Sequence, residues 1–259
     1  MKIIAVMAPK GGIGKTTTAD SIAYILGEEH GKRVLVLDGD PQGDTSRIFG
    51  CCEPEGTGMS RLLERHVCAG GDCRTSELIK VTEYPHIDLL PADGYLMKTD
   101  MYLLMSREEN QATRLGDTLA EVSGEYDYCI CDCGRLFDMV VINILAASDM
   151  VIAPVKAGGF EARALYNLAE QAEDLRSLNP RMRIKVLMTM RQKNKVSLET
   201  EEWLKTSSGF DVFETSVRRS VAVEKASIAV RPLPEFSKRG IVAQDYRSTA
   251  EELMGEVWE

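Results

Sequence analysis

The chain has 259 residues, of which 44% are hydrophobic, 6% aromatic and 27% charged. These values exclude a disordered or fibrous polymer and leave enough chain to bury a substantial core. Acidic residues outnumber basic ones by 40 to 31, for a formal net charge of -9, a poor setting for nucleic-acid binding over the surface as a whole. The longest apolar stretches, such as residues 139–147, fall far short of a membrane span. Met1-Lys2 leads straight into Ile3-Ile4-Ala5-Val6 with no cleavable signal, so a cytoplasmic protein is expected.

Strand-like and helix-like segments alternate along the chain. Residues 2–8 form a β-branched run, a glycine turn follows, and 15–29 carry a helical pattern. Residues 33–38 (R-V-L-V-L-D) read as a fully buried strand and 87–91 as another, with two helices expected across 95–122. Apolar runs of strand length recur at 126–132 and 150–155. Residues 160–178 show helical spacing, and 183–190 return to strand. Residues 197–206 read as helix, 210–216 as strand and 240–258 as a closing helix. Strands apolar on both faces, separated by amphipathic helices, predict an α/β fold: a mostly parallel, doubly wound sheet with helices on both faces. A Gly/Cys-rich piece around 50–81 interrupts the composition and is expected as an insertion or long loop within one domain, 1–259.

Seven cysteines, an odd number, rule out a fully paired disulfide framework within the chain. Cys51, Cys52, Cys68 and Cys73 fall in the Gly-rich piece. A metal site at Cys51, Cys68 and Cys73 competes there with the simpler reading of thiols in a reducing compartment. Cys129, Cys131 and Cys133 alternate through an apolar run and are expected on one side of a strand.

The strongest motif is Lys10-Gly11-Gly12-Ile13-Gly14-Lys15-Thr16, between the first strand and the first helix. Gly11, Gly12 and Gly14 permit a backbone path whose N–H groups, with that of Ile13, turn inward on phosphate oxygens. The following helix adds its dipole and its unpaired amides. Lys15 reaches the β- and γ-phosphates as a point charge, the Thr16 hydroxyl can ligate Mg²⁺, and Thr17 completes the expected nucleotide contacts. An ordinary glycine turn before a helix is the bland alternative.

Two further segments end buried strands in carboxylates. Val34-Leu35-Val36-Leu37-Asp38-Gly39-Asp40-Pro41-Gln42-Gly43-Asp44 carries three acids in seven residues, at the strand end where open α/β sheets bind ligands. A solvated turn capped by Asp is the alternative there. Tyr126-Asp127-Tyr128-Cys129-Ile130-Cys131-Asp132 runs out at Asp132. Charge is also segregated: residues 176–239 hold 14 basic and 7 acidic residues, and the remainder 17 and 33.

Pro9 stands where the standard G-x-x-x-x-G-K-[ST] loop has glycine, and Lys10 is an additional lysine. In this the sequence resembles the deviant Walker A class of P-loop ATPases, which includes ParA partition proteins, MinD and the nitrogenase iron protein. Asp38-Gly39-Asp40-Pro41-Gln42 is similar to the D-x-D-P-Q signature of ParA proteins, and the strand ending at Asp132 looks like their Walker B strand. The resemblance extends over nearly the whole chain apart from about 50–81. It implies ATP and Mg²⁺ as cofactors and a homodimer formed with ATP, with Lys10 reaching the partner's nucleotide. Lys10, Lys15 and Asp40 would be catalytic, Asp40 positioning the attacking water. Asp44 would sense the γ-phosphate, and Thr16, Asp38 and Asp132 would hold Mg²⁺ and its water shell. Met190 and Arg219 would lie near the purine.

Departures from the class narrow the choice. The nitrogenase-type cluster needs a cysteine at the position of Met139. A MinD-type basic membrane helix is contradicted by Asp245, Glu251, Glu252, Glu256 and Glu259 against Arg247 in the last twenty residues. The remaining resemblance is to ParA: slow, activator-stimulated ATP hydrolysis, a ParB-like activator, nonspecific DNA binding by the ATP-bound dimer, no membrane, and a cytoplasmic, nucleoid-associated location. Arg191, Lys193, Lys195, Arg218, Arg219 and Lys225 are the candidate DNA cations. The family's P-R-N-V-R reads Arg218-Arg219-Ser220-Val221-Ala222 here, and its D-C-P-P-S reads Asp132-Cys133-Gly134-Arg135-Leu136. The alternatives are a nucleotide-dependent binding module or cargo-positioning regulator with little hydrolysis, and a P-loop ligase of the same fold.

Overall fold

A computed structural model describes residues 1–51, 57–64, 74–106, 110–157 and 159–258. Its strands are β1 (Lys2–Val6), β2 (Val34–Gly39), β3 (Lys80–Val81), β4 (Ile87–Leu90), β5 (Tyr128–Cys133), β6 (Met150–Lys156), β7 (Arg183–Thr189) and β8 (Asp211–Val212). Among the described residues they form one sheet in the order β3-β4-β2-β5-β1-β6-β7-β8. Only β3 runs antiparallel, on an edge. The parallel order requires crossover connections, and the helices supply them: α1 (Lys15–Tyr24), α2 (Asp44–Ile48), α3 (Met59–Glu64), α4 (Thr75–Leu78), α5 (Leu96–Met105), α6 (Arg114–Ala120), α7 (Met139–Ala147), α8 (Gly159–Asp174), α9 (Lys195–Thr206), α10 (Val221–Ile228), α11 (Leu233–Phe236) and α12 (Ile241–Met254).

Every residue of β2 and β5 is buried, as expected for central strands covered on both faces. On one face Ile4, Val6, Val34, Val36, Ile130 and Ile152 form a core with residues of α1, α11 and α12. On the other, Ala5, Leu35, Leu37 and Val151 pack with residues of α3 and α5 to α9. Cys129, Cys131 and Cys133 all belong to that second core, so the three alternating thiols do share one side of the strand. All three are fully buried.

Several local expectations change. The strand expected at 210–216 pairs only at Asp211–Val212. Beyond Phe213 the amides of Glu214 and Thr215 donate instead to the Glu252 carboxylate of α12, at 2.8 and 2.7 Å, which takes those two residues out of the ladder. The first helix passes into a π-helical turn at Ile25–Glu29, and the last one stops at Gly255. The piece around 50–81, expected as an insertion or loop, contributes to the core. Met59, Leu62 and Leu63 of α3 are fully buried, and the amides of Gly58 and Ser60 donate to the buried Asp93 carboxylate. Cys52, Cys68 and Cys73 lie outside the described residues.

Candidate nucleotide-binding site

The phosphate loop joins the carboxyl end of β1 to α1. Gly12 and Gly14 have φ of +69° and +91°, a region that glycine enters without steric cost. A Cβ added to Gly11 or Gly12 would meet nothing within 4 Å, so the loop faces open space. Gly14 caps α1 without any side-chain hydrogen bond, which leaves the first amides of the helix directed outward as an anion cradle. Gly11 is exposed, Ile13 is buried, and Lys10, Lys15, Thr16 and Thr17 are half-buried. Lys15 Nζ donates to the Lys10 carbonyl at 3.2 Å, so the lysine is folded back over the loop. From below, Thr189 at the end of β7 donates to the Ile13 carbonyl at 2.8 Å.

Beneath the loop the carboxylates of Asp38 and Asp132 converge. Asp38 of β2 and Asp132 of β5 are register partners at the ends of adjacent parallel strands. Thr16 Oγ1 donates to Asp132 Oδ2 at 2.7 Å. Asp38 Oδ2 accepts from the Ser46 amide at 2.8 Å and its hydroxyl at 2.6 Å, while its Oδ1 accepts from the Asp40 amide at 3.1 Å. Burial above all, then the neighbouring Asp38 charge, pushes the Asp132 carboxyl up to about 8; burial pushes Asp38 up to about 6. Asp132 Oδ1 is buried without a hydrogen-bond partner. An orphaned carboxylate oxygen next to a threonine hydroxyl and a phosphate cradle fits a divalent cation held through its water shell. Among the described residues no group of three or more His, Cys, Asp or Glu could hold a metal by itself. Mg²⁺ is typically bound through few protein ligands plus phosphates and water, which suits Thr16, Asp38 and Asp132.

Asp40 is half-buried, its Oδ1 accepting from the Gln42 amide at 3.0 Å, and its carbonyl accepts from Gly43. Asp44 is exposed at the start of α2 and paired with Arg47 at 2.8 Å. Asp20 escaped sequence reasoning. It lies one turn beyond Thr16 on the same face of α1 and is 1% exposed. Burial and the Asp132 charge hold its carboxyl well above the usual range. The only available signal was a charged residue inside an otherwise small or apolar helical stretch.

On the other side of the loop a cleft of about 500 Å³ is lined by Gly12, Gly14, Thr17, Met190, Arg219 and Tyr246, among others. Met190 and Arg219 thus line the cleft that adjoins the phosphate loop. Met190 has φ of +52°, uncommon for a residue with a side chain. Tyr246 of α12 is buried, its hydroxyl 3.1 Å from Thr18 Oγ1. Arg191 and Arg218 form an isolated bridge, with Arg191 N donating to Val217 O and Arg219 N to Arg191 O. Outside this bridge is a shallower groove lined by Arg191, Lys193, Arg219 and Ile241. Arg191 is paired with Glu201 at 2.6 Å. Arg218 is paired with the buried Asp245. Lys193 and Arg219 are exposed.

Residues 1–184 match the family model of an AAA domain. Over 262 residues the chain is 29% identical to the chromosome partitioning protein ParA of Caulobacter vibrioides, covering 98% of this chain and 94% of that protein. It is 30% identical over 259 residues to the sporulation initiation inhibitor protein Soj of Bacillus subtilis, covering 97% and 98%. A cobyrinic acid a,c-diamide synthase from Mycobacterium smegmatis, solved with bound ATP analogue and magnesium, superposes with a TM-score of 0.80 at 25% identity, covering 98% of this chain and 94% of that one. Likeness over essentially the full length of ParA and Soj, on the sheet described above, makes this chain a member of the ParA-type family of P-loop ATPases.

Proposed function

We propose that the protein is a Mg²⁺-dependent ATPase switch of ParA type that acts in partitioning a plasmid, mobile element or chromosome region. One observation carries this reading: the Thr16–Asp132 hydrogen bond, beside Asp38 and under an uncapped helix N-terminus, reproduces the arrangement that a Mg²⁺–triphosphate requires. The loop amides and Lys15 bind the phosphates. Thr16, Asp38 and Asp132 hold the metal shell. Mg²⁺, when bound, neutralises charge on the β- and γ-phosphates. Asp40 orients the attacking water from the D-G-D-P-Q turn, and Asp44, exposed at the start of α2, senses the terminal phosphate. The purine lies against Met190 and Arg219.

In this reading Lys10 crosses to a second copy, so that ATP, and not ADP, supports a homodimer. The dimer binds DNA nonspecifically through Lys193, Arg219 and their neighbours, in the cytoplasm at the nucleoid, and a ParB-like protein stimulates a slow hydrolysis. Among the described residues no helix is long and apolar enough to cross a membrane. Sedimentation with ATP and with ADP tests the reading. The wild-type chain dimerises with ATP alone, Lys10→Ala binds ATP and stays monomeric, and Lys15→Ala binds no nucleotide. Normal ATP-dependent dimerisation of Lys10→Ala would remove the cross-subunit role.

A further inference from the structure

Asp20 has no role in the motifs above, yet it is buried beside the carboxylates of the site. Thr16 and Asp20 are four residues apart on α1 and point to the same side. Thr16 Oγ1 donates to Asp132 Oδ2. Between Asp20 and Asp132 stands Thr45 of α2, its hydroxyl 2.9 Å from Asp20 Oδ1 and 3.0 Å from Asp132 Oδ2. All of Asp20, Thr45 and Asp132 are buried. A threonine hydroxyl has one proton, so it donates to one carboxylate at a time. Asp20 Oδ2 and Asp132 Oδ1 are both buried without a partner.

A buried carboxylate beside another carboxylate, with half its acceptor capacity unused, is unfavourable for folding alone. A core made for packing would place an apolar residue there. Its position makes sense if Asp20 serves Asp132. Thr16 and Thr45 are both directed at Oδ2 of Asp132, while its Oδ1 is left without a protein donor. Each donor on Oδ2 draws charge from the carboxylate and so weakens the hold of Oδ1 on a hydrated cation. Thr16 is compatible with a bound cation as it stands, because its oxygen can ligate the metal through a lone pair while its proton stays on Asp132. Thr45 needs another acceptor, and Asp20 is the one within reach.

We propose that Asp20 is a positioning residue for the divalent cation: it accepts the Thr45 hydroxyl proton and so withdraws that donor from Asp132. The inference rests on the Mg²⁺–nucleotide reading of the site. Because Thr45 belongs to α2, the same exchange ties the helix after the D-G-D-P-Q-G-D turn to the phosphate-loop helix. Outer residues that orient metal-binding groups commonly govern metal affinity by about 10- to 100-fold.

The test titrates Mg²⁺ into full-length protein with a fluorescent ATP analogue, alongside binding of the matching ADP analogue in EDTA and thermal unfolding without metal. Asp20→Ala is expected to weaken apparent Mg²⁺ affinity about tenfold. It should leave metal-free nucleotide binding unchanged and not lower the metal-free melting temperature. Asp20→Asn, which keeps an acceptor oxygen for Thr45, should recover most of the lost affinity. In a Thr45→Val background, where no proton needs withdrawing, Asp20→Ala should have no further effect. The inference is overturned if Asp20→Ala keeps wild-type Mg²⁺ dependence, if it weakens metal-free binding equally, or if its effect persists unchanged beside Thr45→Val. Nucleotide binding indifferent to Mg²⁺ in the wild-type chain would instead overturn the reading of the site itself.

Discussion

Asp38 and Asp132 stand side by side at the ends of neighbouring parallel strands, paired in register and both completely buried. Two carboxylates this close and this deep are held apart in charge by protons or by a cation. The metal-free protein therefore carries a built-in electrostatic cost at neutral pH.

That cost sets a pH dependence. Folding raises Asp38 to about 6 and Asp132 to about 8, above the value of about 4 for an unfolded chain. The folded state thus keeps protons that the unfolded state releases, and stability without metal falls as pH rises from about 4 towards 8. For Asp38 alone the loss is on the order of 2–3 kcal/mol, complete once pH passes about 6. Melting curves in EDTA should show lower midpoints at pH 8 than at pH 5. Asp132→Asn should flatten the upper part of the decline, and Mg²⁺ with nucleotide should stabilise the wild type more at pH 8 than at pH 6.

Asp40→Ala is expected to leave ATP binding and ATP-dependent assembly in place while slowing turnover by orders of magnitude, because the water-orienting carboxylate is lost. Phosphate release and the lifetime of the dimer after ATP is removed are the readouts. A variant that falls apart as quickly as wild type would free Asp40 of that role.

Gly58→Ala tests whether the segment before α3 is integral to the fold. A Cβ there would lie 2.1 Å from the Pro91 carbonyl oxygen, and that carbonyl also accepts the Met59 amide at 2.9 Å. Backbone meets backbone, so no rotamer relieves the clash. The expected cost is about 2–3 kcal/mol or more in chemical denaturation. Asp93→Ala, which removes the carboxylate that accepts the Gly58 and Ser60 amides at the start of α3, should cost about 1 kcal/mol.

The basic residues of the late loops divide into two kinds. Arg218 neutralises Asp245, which is 7% exposed, so Arg218→Ala should destabilise the fold by about 1–3 kcal/mol. Lys193→Ala should leave unfolding unchanged, weaken binding to nonspecific duplex DNA and reduce the salt slope by about 1. Filter binding with ATP at several salt concentrations, beside melting curves, separates the two kinds.

The layout of strands and helices was largely legible because β2, β5 and β6 are apolar on both faces, a pattern that a sheet core explains. Cys129, Cys131 and Cys133 fell on one face for the same reason of period. The phosphate loop was legible because its glycines answer a backbone requirement that sequence alone discloses. Where interactions are long-range, the sequence was silent. Nothing local marks Asp20 as a neighbour of Asp132, which lies more than a hundred residues away. Nor does anything local say that Glu252 takes the amides that would have extended β8, or that Met59, Leu62 and Leu63 turn inward from a Gly/Cys-rich piece.

The Arg191–Arg218 bridge joins two loops whose residues border two recesses. Gln192, Arg218, Arg219 and Ser220 border both the cleft beside the phosphate loop and the basic groove outside. A ligand that moves any of these four side chains in the first recess alters the lining of the second. Substitutions at Gln192 are therefore expected to register both in nucleotide preference and in polyanion affinity.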